Sequence, residues 1–149
     1  MRPEDVEGLT IGALLDLVTE RRPDDEALVY PDRGLRYSYR RFTEVVGECA
    51  RALMSLGLEK GDHVAVWGQN VPEWLTLQFA TGKMGAVLVT VNPAYKAREL
   101  KYVLEQSDAA ALFLTEGVKD ADFLEVLRGA VPELQEPATE SSPSKNCHT

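Results

Sequence analysis

The stretch HVAVWGQNVPEWLTLQFATGKMGAVLVTVNPAY, His63–Tyr95, decides the fold. HVAVW is a short apolar run and reads as a buried strand. Asn70 then stands where a helix would be capped, with Glu73 three residues on and Pro72 in the first turn. The helix that follows is apolar nearly all round, through Val71, Trp74, Leu75, Leu77, Phe79 and Met84, which predicts little exposure. Gly85 ends it. AVLVT is the next strand, and Val91–Tyr95 is a loop. Strand, helix and strand with continuous apolar strands make a parallel βαβ unit.

Working outward, the same alternation continues downstream. A helix places Leu100, Val103 and Leu104 inward, AAALFL (Ala109–Leu114) is a further strand, and Val118–Arg128 is expected to be a helix. Upstream, Thr10 caps a helix with Ile11, Leu14, Leu15 and Val18 at helical spacing, closed at Arg21-Arg22-Pro23. EALVY (Glu26–Tyr30) and LRYSY (Leu35–Tyr39) predict a β-hairpin around Pro31–Gly34. Phe42, Val45, Val46, Cys49, Leu53 and Leu56 mark a second amphipathic helix with Gly57 at its end. The fold class is therefore α/β. We expect three layers, with a mostly parallel sheet built of βαβ units, an N-terminal helix and hairpin packed against it, and right-handed crossovers.

The bulk properties narrow the partners. The chain has 149 residues, about one domain, and its 44% hydrophobic and 27% charged content is that of a globular protein. Its net charge of −8 disfavours nucleic acid and anionic lipid as partners. No apolar run approaches the length of a membrane span. The opening MRPEDVEGLT has no apolar core of a secretory signal and is too acidic for a transit peptide. Cys49 and Cys147 lie far apart, which fits free thiols in a reducing, cytoplasmic compartment.

Several motifs are excluded by their residues. Gly82-Lys83 looks like the end of a phosphate-binding loop, but Leu77 occupies the position of its first glycine and Met84 that of its hydroxyl. Neither His63 nor His148 has a spaced partner for zinc, and adjacent Cys147-His148 cannot easily share one tetrahedral metal. No G-x-S-x-G elbow occurs. Trp67 and Trp74 flank the GQN loop; they would either stack on a ligand or fill the helix–sheet interface.

Position leaves one candidate. Ligands of parallel sheets bind beyond the carboxyl ends of the strands. Those ends are the loops Gly68–Asn70, Val91–Tyr95 and Thr115–Gly117. Asn92, Tyr95, Lys96 and Arg98 thus form the candidate binding residues, at a helix N-terminus that favours anions. Lys96 and Arg98 would either meet a phosphate or stand as solvated first-turn residues. No catalytic residue and no metal ligand is assigned.

The span from Leu56 to Leu114, LGLEKGDHVAVWGQNVPEWLTLQFATGKMGAVLVTVNPAYKARELKYVLEQSDAAALFL, resembles the N-terminal part of the adenylate-forming acyl-CoA synthetases. The Lys-Gly-Asp turn, the Asn-x-Pro-Glu-Trp helix start, the Gly-Ala-Val strand, the Asn-Pro-Ala-Tyr loop with REL, and the upstream YSYRRF (Tyr37–Phe42) carry the likeness. It covers about Leu9 to Leu134. VNPAYKARELKYVLEQS is closer to the fatty-acyl-CoA ligases than to the peptide-synthetase branch. The resemblance implies a two-step reaction. A carboxylate such as a fatty acid attacks the α-phosphate of ATP, and the thiol of CoA then displaces AMP, with Mg²⁺ offsetting phosphate charge.

The chemical motifs of that family are a Ser/Thr/Gly-rich loop with Pro-Lys-Gly, an aromatic-x-x-Thr-Glu, a ribose-binding Asp, an Arg and a C-terminal Lys. None occurs in these 149 residues. We therefore expect a partial N-terminal AMP-binding-enzyme domain over 1–134, inactive alone and without cofactors of its own. Residues 135–149, in ELQEPATESSPSKNCHT, are expected to form a disordered tail of a truncated or frameshifted ligase. A sheet cut from a larger domain would leave apolar surface uncovered, so the isolated chain is expected to self-associate. Two other expectations remain: an interaction module that pairs with a full-length ligase, and a small nucleotide-binding α/β protein.

Overall fold

The structure is a computed structural model and describes residues 7–118 and 121–132. Helix α1 (Ile11–Arg21) begins where the Thr10 hydroxyl accepts a hydrogen bond from the Ala13 amide at 3.1 Å. Strands β1 (Glu26–Tyr30) and β2 (Leu35–Ser38) pair antiparallel across a single 3₁₀ turn, Pro31–Arg33. The expected second strand ran to Tyr39. Instead the Ser38 hydroxyl accepts from the Arg41 amide at 3.3 Å and makes Tyr39 the first residue of helix α2 (Tyr39–Ser55).

The central sheet is parallel, with β3 (His63–Trp67) between β4 (Val87–Val91) and β5 (Ala109–Leu114). Helix α3 (Pro72–Met84) joins β3 to β4. Helix α4 (Ala97–Gln106) joins β4 to β5, which lies on the far side of β3. The alternation along β3 divides the core. Val64 and Val66 enter a cluster with Leu15 of α1, Phe42, Val46 and Leu53 of α2, and Leu77 and Ala80 of α3. Ala65 and Trp67 face the other way, against Leu100 of α4 and Phe123 of the last helix. This is the expected three-layer α/β arrangement, and its middle strand is buried on both faces, as continuous apolar strands require.

Helix α3 is as enclosed as its sequence predicts; only Glu73 and Lys83 along it are exposed. Gly85 terminates it in the left-handed region, at φ 83°, with its amide donating to the Thr81 carbonyl. The expected cap by Asn70 is not formed. Val71 is the N-cap residue, without a side-chain hydrogen bond, and Pro72 follows at N1. Proline restricts the residue before it to extended backbone, which places the boundary one residue later. Glu73 is drawn away from the cap to Arg33.

Two further boundaries differ. Val91 belongs to β4, paired with Trp67 and 4% exposed, so the loop begins at Asn92. The helix expected from Val118 to Arg128 starts later. Gly117–Val118 (β6) and Ala121–Asp122 (β7) form a small antiparallel pair, and helix α5 spans Phe123–Ala130. One carboxylate oxygen of Asp122 accepts from the amides of Leu124 and Glu125, which fixes the start at Phe123. The expected tail, with Cys147 and His148, lies outside the described residues.

Candidate functional site at the carboxyl edge of the sheet

The four residues singled out from sequence share one loop. Asn92 is tied into it twice: its side-chain oxygen accepts from the Ala94 amide at 2.9 Å, and its carbonyl accepts from the Tyr95 amide at 3.0 Å. The same carbonyl accepts from the Trp67 indole at 3.0 Å, so the end of β3 holds the loop after β4. Tyr95 is half-buried against the α4–α5 core. Lys96 is the N-cap residue of α4, its amide bonded to the Glu99 carboxylate at 3.2 Å, and both Lys96 and Arg98 are exposed. Asn92 and Tyr95 thus build the loop, while Lys96 and Arg98 project from the first turn of α4.

Trp67 is fully buried and stacks on Phe123, ring centroids 4.0 Å apart and planes 11° from parallel. It fills the helix–sheet interface, one of the two roles open to it from sequence. Gly82 and Lys83 lie inside α3, and the Lys83 ammonium pairs with Asp16 of α1. They do not form a phosphate grip, and the described residues offer no other glycine-rich cradle. No group of three His, Cys, Asp or Glu among the described residues is placed to hold a metal ion.

A second location emerges from strand order, which the sequence does not reveal. The chain leaves β3 toward β4 on one face and returns to β5 on the other, so the carboxyl ends of β3 and β5 adjoin at a switch point, where open α/β sheets bind ligands. A cavity of about 500 Å³ opens there, lined by Arg33, Gln69, Glu73, Thr115 and Glu116 among others. The β1–β2 turn reaches over to it. Arg33 donates to both carboxylate oxygens of Glu73 from one nitrogen, at 2.8 and 3.0 Å, and the Tyr30 hydroxyl donates to the Asn70 carbonyl at 2.8 Å. Gln69 bonds the Gly117 carbonyl at 3.1 Å. Adjoining it, a mostly apolar cavity of about 420 Å³ runs between α2, α3 and the sheet, sharing Val71, Glu73, Leu114 and Thr115.

Thr115 marks the junction. Its amide donates to the Trp67 carbonyl at 3.1 Å, and its hydroxyl is buried with no hydrogen-bond partner. Gly68 makes room for it: a Cβ there would come within 2.8 Å of the threonine methyl. Cys49 of α2 lines the apolar cavity, and burial pushes its thiol pKa up. Asn92, Tyr95, Lys96 and Arg98 line neither cavity.

The chain has many relatives. A family model described as AMP-binding enzyme matches residues 15–146. YngI of Bacillus subtilis, whose name is that of an acyl-CoA synthetase, is 50% identical over 127 residues, which are 85% of this chain and 23% of YngI. The mitochondrial medium-chain acyl-CoA ligase ACSF2 of Bos taurus is 38% identical over 126 residues, 85% of this chain and 20% of that one. Among solved structures, the inhibitor-bound N-terminal domain of FACL13 from Mycobacterium tuberculosis superposes with a TM-score of 0.69 at 30% identity. It covers 70% of this chain and 26% of that one. The chain spans about a fifth to a quarter of the length of these curated relatives.

Proposed function

This chain belongs to the AMP-binding enzyme family, and from that premise we propose that it is the N-terminal scaffold of an ATP-dependent acyl-CoA synthetase and does not catalyse by itself. The whole protein would convert a fatty or other carboxylic acid, ATP and CoA to acyl-CoA, AMP and pyrophosphate, with Mg²⁺ neutralising phosphate charge. The observation that carries this is 50% identity to an acyl-CoA synthetase relative of whose length the chain covers 23%. In such an enzyme these residues supply shape. Trp67 and Asn92 set the loop after β4, and Lys96 and Arg98 offer charge at the rim for an anionic group such as the CoA phosphates. The domain division at 134 and a cytoplasmic location belong to the same proposal.

ATP–pyrophosphate exchange with octanoate tests it. The chain alone gives no exchange above the no-enzyme rate. Exchange that depends on octanoate and on this chain alone contradicts the scaffold assignment.

The alternative is an interaction module that pairs with a full-length ligase. Two sheet edges and exposed apolar side chains, Val87 at 45% and Leu56 at 70%, favour association of the chain with itself or with such a partner. Sedimentation of the chain mixed with a full-length relative separates the two. A mixed complex favours the module, and self-association alone favours the scaffold.

A further inference from the structure

We propose that the free edge of β4 is a homodimer interface, pairing antiparallel with β4 of a second copy about a two-fold axis at Val89. The backbone selects a strand as the occupant. The Val87 amide donates to the Asp62 carbonyl at 2.8 Å, so Val87, Val89 and Val91 turn their N–H and C=O groups toward β3. Alternation turns those of Leu88 and Thr90 to the other side, where β4 has no sheet neighbour among the described residues. Val87 and Thr90 are exposed, so the edge is accessible. Nothing guards it. VLVTV carries no charge and no proline, and its register against β3 is unbroken. The other edge strand, β5, is irregular at its start, where the register slips between Ala109 and Ala111, and it runs on into Glu116.

The side chains select a second copy. With the strands antiparallel about Val89, Leu88 of each copy faces Thr90 of the other, and these pairs exchange both N–H···O bonds. Val87 faces Val91, and Val89 faces its own counterpart. Every cross-strand pair is then uncharged, and all the residues but leucine are β-branched, the type that packs best on a pleated surface. Val87, 45% exposed, gains cover from the far end of the other strand. Such an interface is isologous and closes at a dimer, which doubles the three-stranded sheet. The self-association expected from sequence thereby acquires an edge, an orientation and a register. The inference rests on β4 and not on the ligase reading, which pyrophosphate exchange tests separately.

The test uses the 149-residue chain in sedimentation equilibrium, with circular dichroism and urea midpoints reporting the fold. The parent chain forms a dimer and no larger species. Thr90→Pro removes an amide that faces the free edge, where proline is tolerated, and weakens the dimer at least about tenfold, since the two-fold axis removes that bond on both sides at once. Thr90→Val, which keeps the amide, stays within about threefold of the parent. A second measurement fixes the register. With Cys49→Ala and Cys147→Ser, Val89→Cys places two thiols at a non-hydrogen-bonded pair with Cβ atoms about 5 Å apart, and mild oxidation yields a disulfide-linked dimer. Ala110→Cys, at an exposed position of β5, does not. A monomeric parent chain, a ladder of larger oligomers, or a folded Thr90→Pro chain that dimerises like the parent overturns the proposal. If Thr90→Pro does not fold, the cysteine variants decide: no cross-link through Val89→Cys, or an equal one through Ala110→Cys, overturns it.

Discussion

Single residues show most directly what burial does. Cys49 is half-buried on α2, and desolvation penalises its thiolate, so its pKa lies above that of a free cysteine. The unfolded chain ionises this thiol first, near pH 8.5. The folded state therefore keeps its full advantage below that pH and loses it as pH rises through the folded pKa. Alkylation of Cys49, measured against a model thiol over pH 7 to 10, should show its half-maximal rate displaced to higher pH; a profile matching the model thiol refutes this. Gly85 holds φ 83°, and an added Cβ would lie 3.0 Å from the Lys60 side chain. Gly85→Ala should cost about 1–2 kcal/mol, read as a lower urea midpoint at unchanged slope. Its terminating role was legible in sequence because a left-handed helix end selects glycine strongly. The burial of Trp67 was not, since an indole at a strand end serves a ligand or a core equally well until Phe123 is placed beside it.

Elements were legible where their periodicity is local. All three sheet strands and the helices between them were read from runs of apolar residues, as was the enclosure of α3. Boundaries went astray where two local signals compete. Asn70 and Glu73 match a capping pair, yet Pro72 fixes the start of α3 and the turn between β1 and β2 supplies Arg33, 40 residues away, as the partner of Glu73. Similarly, Asp122 caps α5 more strongly than the apolar pattern suggests, and Gly117–Val118 pairs antiparallel with Ala121–Asp122 instead. The energetics of these contacts differ. Arg33 and Glu73 are both well exposed, so Arg33→Ala should cost under about 1 kcal/mol. Phe123 is 1% exposed and stacks on Trp67, so Phe123→Ala should cost about 3–5 kcal/mol and loosen α5 first. Equal costs for the two, in chemical denaturation, would contradict this division between surface and core.

At the scale of the whole molecule, strand order governs the site. The sequence gives three strands but not their order, because pairing of β3 with β5 is a contact between residues far apart in the chain. The candidate loop of Asn92, Tyr95, Lys96 and Arg98 was readable from the rule that ligands gather at carboxyl ends. The crevice of Arg33, Glu73 and Thr115 needs the switch between β3 and β5 and a hairpin brought over it, and no local signal announces either. The same order leaves β4 and β5 each with one sheet neighbour among the described residues. Val87→Lys on β4 should therefore shift the isolated chain toward monomer in sedimentation velocity, because a charged edge resists pairing. The central claim, that this chain supplies frame and not chemistry, is tested most directly by a chimera. This chain replaces the matching N-terminal residues of YngI, and octanoate-dependent pyrophosphate exchange is measured against YngI itself. Exchange within about tenfold of YngI is the predicted result, since a scaffold 50% identical to the one it replaces keeps its shape. A folded chimera without exchange would show that the N-terminal residues carry chemistry which this chain lacks, and would contradict the claim.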